Sequence, residues 1–189
     1  MTDIKLKPGQ HALVGYGSLL SVASMEGTLG HKYSGVWQIV RLNGWRRGWD
    51  VQMPNANYKY TEVERVITPE RVLYLNVRKQ SGSHINCALF VVTAEELETF
   101  DERESVYYRA NVSDDIEDVR ISGGNAWMYV ALDEFLWRRE SRPPEAIIRR
   151  TYVNILETAH AKLGEEFQRD FDASTDVALP HLIVNDIPA

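Results

Sequence analysis

Cysteine is almost missing from this chain: of 189 residues only Cys87 carries a thiol. One thiol makes no internal disulfide, and a thiolate zinc cluster is excluded with it. Cys87 stands between Asn86 and Ala88 in an apolar run, with no basic or histidine neighbour to activate it, and reads as a buried structural thiol. Histidine is sparse as well. His11, His31, His84, His160 and His181 fall at no metal-ligand spacing, so no metal site is indicated. No run approaches the ~20 apolar residues that a membrane-spanning helix needs, and the opening MTDIKLKPGQ lacks the apolar core of a signal peptide. Basic residues are outnumbered, 21 Lys and Arg against 27 Asp and Glu, giving a formal net charge of −6. That balance argues against nucleic acid or an anionic membrane as partner. Repeats and low-complexity linkers are also missing. A single domain over 1–189 in a reducing, cytoplasmic setting is the expectation, with no nucleic acid or membrane as partner.

Chemical signatures are missing too. There is no G-x-S-x-G elbow around Ser18 and no histidine marked to serve it. Neither G-x-G-x-x-G nor G-K-[ST] occurs, so nucleotide binding has no motif behind it.

What is present begins with apolar runs of strand character. ALVGY, GVWQIVRL, RVLYLNVRK, HINCALFVV, YYRANV and NAWMYVAL read as strands. NGWRRGWD closes the second of them, and QSGS, with Gly82, predicts a hairpin between the third and fourth. Thr93 and Glu96 have the spacing of a capping box and open a helix over TAEELETFDERE. A longer helix is predicted over PPEAIIRRTYVNILETAHAKLG, with Pro143 and Pro144 in its first turn, Gly164 as its stop, and Ile148, Tyr152, Ile155, Leu156, Ala159 and Leu163 on its apolar face. The stretch from Asn55 to Glu70 has no clean period and reads as a long loop, a candidate lid. Residues 165–189 read as an extended arm on a core of about 12–164. Strands interrupted by a few helices, without βαβ alternation, indicate an α+β domain.

Two segments carry chemical interest. In HALVGYGSLL a strand runs into Gly15-Tyr16-Gly17-Ser18, and paired glycines let backbone N–H groups converge on an anion. The other is the acidic end of the helix after Thr93. With Leu97 at the centre of the apolar face, Glu104 lies about 20° away and Asp101 about 40°, whereas Glu98 and Glu102 lie about 100° and 140° away. Glu104 is therefore the acid most nearly inward, Asp101 its rival, and Arg103 or Arg109 the available counter-charges. Arg46 and Arg47, set between Trp45 and Trp49, read either as structural cations on a barrel rim or as an aromatic-backed anion site.

Taken together, VGYGSLL and FDERESVYYR resemble the γ-glutamylcyclotransferase-like superfamily, which includes the glutathione-degrading ChaC-type enzymes. The resemblance runs from Val14 to about Gly164. Tyr16-Gly17-Ser18 matches the family's first motif, and DERE matches the acidic cluster whose last glutamate, here Glu104, is catalytic. Tyr152, on the predicted C-terminal helix, falls on a tyrosine that contacts substrate in some members; it also sits on the apolar face, where packing explains it equally well. Leu19 replaces an asparagine found in several members, and Ser105 follows Glu104 where ChaC-type members have lysine. The resemblance implies a small mixed β-barrel with flanking helices, Glu104 as general base and acid, and Gly15, Tyr16, Gly17, Ser18, Leu19 and Tyr152 around a small γ-glutamyl substrate. The implied reaction closes the γ-glutamyl group to 5-oxoproline and releases an amine or amino acid, with no cofactor. Two alternatives stand beside it: a non-catalytic small-molecule-binding domain on the same fold, and a hydrolase releasing glutamate.

Overall fold

The computed structural model describes residues 2–56, 59–62, 65–137, 146–178 and 180–187. Its elements, in chain order, are β1 (Thr2–Lys5), β2 (Gln10–Gly15), α1 (Val22–Leu29), β3 (Trp37–Pro54), β4 (Tyr60–Glu62), β5 (Arg65–Ile67), β6 (Arg71–Thr93), α2 (Ala94–Arg103), β7 (Tyr107–Asn111), β8 (Val119–Ser122), β9 (Ala126–Ala131), β10 (Ala146–Arg149), α3 (Arg150–Leu163), α4 (Glu165–Ala173) and β11 (Ile183–Asp186). This is an α+β domain. Its main mixed sheet runs β5-β4-β11-β10-β6-β2-β9-β7, with β3 laid along the other edge of β6. Among the described strands this path does not close into a ring. A separate parallel pair joins β1 to β8.

The axis of the sheet is the β3–β6 ribbon, and it corrects two expectations. NGWRRGWD does not end a strand; it lies inside β3, which runs for 18 residues. Nor does QSGS turn a hairpin between neighbouring strands, because β6 runs unbroken for 23 residues and both of its halves pair with β3. The register passes from Asn43↔His84 to Trp45↔Lys79, so the two strands bulge together. Gly44 and Gly82, with φ of 77° each, supply the left-handed backbone that this paired bulge requires. A second shift, between Gly48 and Val51, follows in β3.

Three further expectations change. The predicted long helix begins only at Arg150; Ala146–Arg149 is a strand, parallel to both β6 and β11. Ile148 is thus fully buried in the sheet and not on the helix face. Two β-branched residues in a row suit a pleated, covered strand. Pro143 and Pro144 lie outside the described residues. Ile155, expected inside, is 39% exposed, while Leu156, Ala159 and His160 are buried. The supposed arm starts with helix α4, which buries Phe167 and Phe171, before β11 inserts between β10 and β4. Within the supposed loop, β4 and β5 form an antiparallel pair, tied at its base by Asn55 N–H to the Glu70 carbonyl at 3.0 Å.

One consequence of this topology positions the site. Along the edge of β6 opposite β3, β10 pairs with residues 71–72 and β2 with residues 88–93. Between them the strand has no strand partner among those described. A side chain satisfies it in part, the Tyr107 hydroxyl donating to the Leu75 carbonyl at 3.2 Å, and β6 reaches across the gap with its own Asn76, whose Oδ1 accepts from Ala131 N–H of β9 at 3.0 Å.

Candidate active site

The gap beside β6 is where β2 ends and the chain turns through Gly15–Leu19. The turn is too tight for side chains at its glycines. A Cβ on Gly15 would stand 2.4 Å from the Leu19 carbonyl oxygen, and one on Gly17 would stand 2.8 Å from the Tyr152 hydroxyl. Ser18–Leu20 then makes one turn of 3-10 helix. The Tyr152 hydroxyl, delivered from the first turn of α3, is held by the backbone amides of Leu75 and Ser18. Tyr152 also stacks edge-on against Tyr74 and Trp49, with ring centroids 5.1 and 5.9 Å away.

Opposite the turn stands the end of α2. The predicted capping box is formed reciprocally: Glu96 N–H donates to Thr93 Oγ1 at 3.1 Å, and Thr93 N–H to Glu96 Oε2 at 2.8 Å. Leu97 and Phe100 are buried, as the wheel requires. The helix stops at Arg103, so Glu104 is its C-cap residue, with φ −92° and ψ 38°. Its side chain is nevertheless only 15% exposed and reaches the same pocket. Asp101, the rival, is engaged elsewhere, by Arg109 Nε at 3.2 Å and the Tyr129 hydroxyl at 2.8 Å.

A pocket of about 210 Å³ lies between turn and helix. Gly15, Tyr16, Gly17, Ser18, Leu19, Glu104 and Tyr152, scattered over 138 positions of sequence, all border it. Tyr74, Tyr107 and Tyr129 add three more phenols, and Met53, Val106 and Ile155 an apolar rim. None of these six was singled out from the sequence as a site residue. Tyr107 had a signal, since it opens the strand directly after the acidic cluster; Tyr74 and Tyr129 lie in apolar runs where inward and outward tyrosines look alike.

Burial raises the Glu104 carboxyl above its ordinary value, with the adjacent Arg103 charge pulling the other way. Arg103 Nε lies 3.1 Å from Glu104 Oε1. The same guanidinium donates to Ser18 Oγ at 2.9 Å and to Ser24 and Thr28 on α1, so it ties the acid to the turn it faces. Burial, neighbouring phenols and Glu104 push the Tyr16 and Tyr107 hydroxyls upward, and burial does the same to Tyr152. These phenols therefore remain protonated donors at any working pH. The site can take up a proton at Glu104 and offer hydrogen bonds around it.

The other sequence candidates lie elsewhere. Cys87 is fully buried, and burial pushes its thiol up to about 12. Arg46 pairs with Asp176 at 2.7 Å, and neither it nor Arg47 borders the pocket. Among the described residues, no helix is long and apolar enough to cross a membrane.

No family model and no curated protein matches this sequence. Solved structures do. One described as a γ-glutamyl cyclotransferase superposes with a TM-score of 0.59 at 12% identity, covering 87% of this chain and 88% of that one. The uncharacterized protein loc79017 from Homo sapiens gives 0.54 at 13%, covering 88% of both. YkqA from Bacillus subtilis gives 0.51 at 15%, over 89% of this chain and 56% of the other. Over nearly nine tenths of its length, then, the chain has the γ-glutamyl cyclotransferase-like fold.

Proposed function

We propose that this protein cyclises the γ-glutamyl group of a small γ-glutamyl amide to 5-oxoproline and releases the attached amine. The observation that carries this reading is the placement of Glu104: a largely buried carboxyl, raised by desolvation, in a small pocket that the Gly15–Leu19 turn also borders. The reaction needs no enzyme nucleophile, because the substrate's α-amine attacks its own γ-carbonyl. Glu104 takes the proton from the α-ammonium, which frees the attacking nitrogen. The new C–N bond closes the five-membered ring, and the Gly17 amide of the turn, which has no acceptor among the described residues, receives the charge that develops on the carbonyl oxygen. Collapse breaks the original amide C–N bond as Glu104 returns its proton to the leaving nitrogen, and the second proton shed by the former ammonium passes to the released amine, which departs as an ammonium ion. The pocket holds the chain bent for closure, and orientation alone lowers such barriers by roughly 7–11 kcal/mol in favourable cases.

The Arg103–Glu104 ion pair is the one observation that favours a non-catalytic binding domain. Trp45 and Trp127, whose rings would obstruct the cavity on that reading, do not border it. Release of 5-oxoproline from glutathione, γ-glutamyl dipeptides and γ-glutamyl amines, by wild type and Glu104→Gln, tests the choice. Product from the wild type and none from the variant supports the cyclase. Free glutamate as the product identifies a hydrolase, and binding without turnover identifies a binding domain.

A further inference from the structure

Arg47 is completely buried, and the chemistry above makes no use of it. Its guanidinium donates from every nitrogen: Nε to the Tyr16 carbonyl at 3.1 Å, Nη1 to Ser174 Oγ at 2.8 Å and Thr175 Oγ1 at 3.4 Å, and Nη2 to the carbonyl and Oδ1 of Asn86, the latter at 2.8 Å. The Phe171 ring lies 4.1 Å from its centre. The Cys87 thiol lies beside it and is neutral, because burial pushes it up to about 12. All of these partners are uncharged, and among the described residues no carboxylate comes within ion-pair distance of Arg47. Asp172 acts on the guanidinium only from beyond ion-pair distance, and a buried cation without a direct acid partner is an expensive way to fill a core, where an apolar side chain of similar length would serve.

Its Nε shows what the charge acts on. Tyr16 is the residue whose carbonyl begins the Gly17–Ser18 turn. In a trans peptide the C=O and the following N–H point in opposite directions, and there is no cis bond among the described residues. Drawing the Tyr16 carbonyl toward Arg47 therefore turns Gly17 N–H away from it. Gly17 borders the pocket and Arg47 does not. Among the described residues that N–H has no acceptor, whereas the Ser18 amide is taken by Tyr152.

We propose that Arg47 is a positioning residue for the pocket's anion-binding turn, fixing and polarising the Tyr16–Gly17 peptide from behind so that Gly17 N–H meets a carboxylate or oxyanion. The missing acid in its shell then makes sense: the counter-charge arrives with the ligand. Asn86, which anchors the far side of the guanidinium, is itself fixed by donating Nδ2 to the Phe167 carbonyl at 2.7 Å. Taking the anion to be part of a γ-glutamyl compound rests on the cyclotransferase reading.

The test compares wild type, Arg47→Lys and Ser174→Ala by thermal midpoint, by kcat/KM for 5-oxoproline release from γ-glutamyl methylamide, and by calorimetric affinity for that compound. Removing a direct oxyanion donor costs about 10²–10³ in kcat; misdirecting one is expected to cost at least about tenfold in kcat/KM. Ser174→Ala, which loosens Arg47 without releasing the Tyr16 carbonyl, should lower the midpoint and leave kcat/KM near wild type. Wild-type kinetics in a folded Arg47→Lys, or equal kinetic losses in both variants, overturns the proposal. If Arg47→Lys does not fold, the Gly17 amide resonance of the wild type decides. It should shift on addition of γ-glutamyl methylamide, and a fixed Gly17 signal while other pocket signals move overturns the proposal. Binding with a Gly17 shift but no 5-oxoproline would sink the cyclotransferase reading and leave this role standing. No response to the compound at all would overturn both.

Discussion

Gly17 and Tyr152 meet so closely that their substitutions should not act independently. A Cβ at position 17 would stand 2.8 Å from the phenol oxygen, which must retreat by about 0.6 Å to reach the 3.4 Å where ordinary contact begins. The next neighbours, Leu75 Cβ and Cδ1, lie at 3.7 and 3.9 Å, so the collision is with that oxygen alone. The oxygen is not free to move, because the Ser18 and Leu75 amides hold it. Gly17→Ala is therefore expected to destabilise by about 1–3 kcal/mol through overpacking. Tyr152→Phe strands two buried donors, at about 1–3 kcal/mol each when fully unsatisfied. In the double variant the collision is gone, so the combined loss should fall short of the sum by at least about 1 kcal/mol. Equilibrium urea unfolding of the four proteins reads this directly. For a chain of this size each kcal/mol also moves the melting point by roughly 2–4 °C. Losses that add within about 0.5 kcal/mol, as distant sites do, would refute the contact and the geometry of the turn built on it.

The acid limb of kcat/KM should lie above the ordinary glutamate range, since Glu104 must be ionised to act and burial raises it. Arg103 lowers it, so Arg103→Met should move that limb to higher pH; an unmoved limb would exclude Glu104 as the titrating base. Stability carries the opposite sign. Folded Glu104 holds its proton more tightly than the unfolded chain, so its contribution is full below the ordinary glutamate value and is lost as pH rises through the raised one. Glu104→Gln should therefore melt at or above wild type near neutral pH, with the gap narrowing on acidification; a gap that widens in acid contradicts the burial argument. Thr93→Ala removes the cap of α2 and should cost about 0.5–2 kcal/mol, with kcat unchanged well below the melting point, as thermal scans and 5-oxoproline release at 20–25 °C would check.

Helix α2 and its acid were legible because their determinants are local. A cap, a period and a count of residues place Glu104 beside Leu97, and the position survives although the helix ends one residue early. The long ribbon was not legible. Gly44 and Gly82 are residues that turn chains, and whether they make a hairpin or a paired bulge depends on which strand lies opposite. Strand β10 was hidden for a similar reason: Ile147 and Ile148 precede a strong helix and fit its pattern until β6 and β11 flank them. The burial of Arg47 had no local signal either. Its charge suggests a rim, and the acceptors that bury it come from Asn86, Ser174 and Thr175, 39 to 128 positions away.

The unpaired stretch of β6 has a consequence for how the protein comes into being. The walls around it are joined by links of long sequence separation: Tyr107 to Leu75 spans 32 positions, and Arg103 to Ser18 spans 85. Each must wait for the chain to close a large loop, and such closures are slow relative to local structure. No single hairpin or lone helix contains the whole cavity. Nascent or nicked chains are therefore silent until the last distant pairing forms, and any activity measured reports the fully assembled molecule.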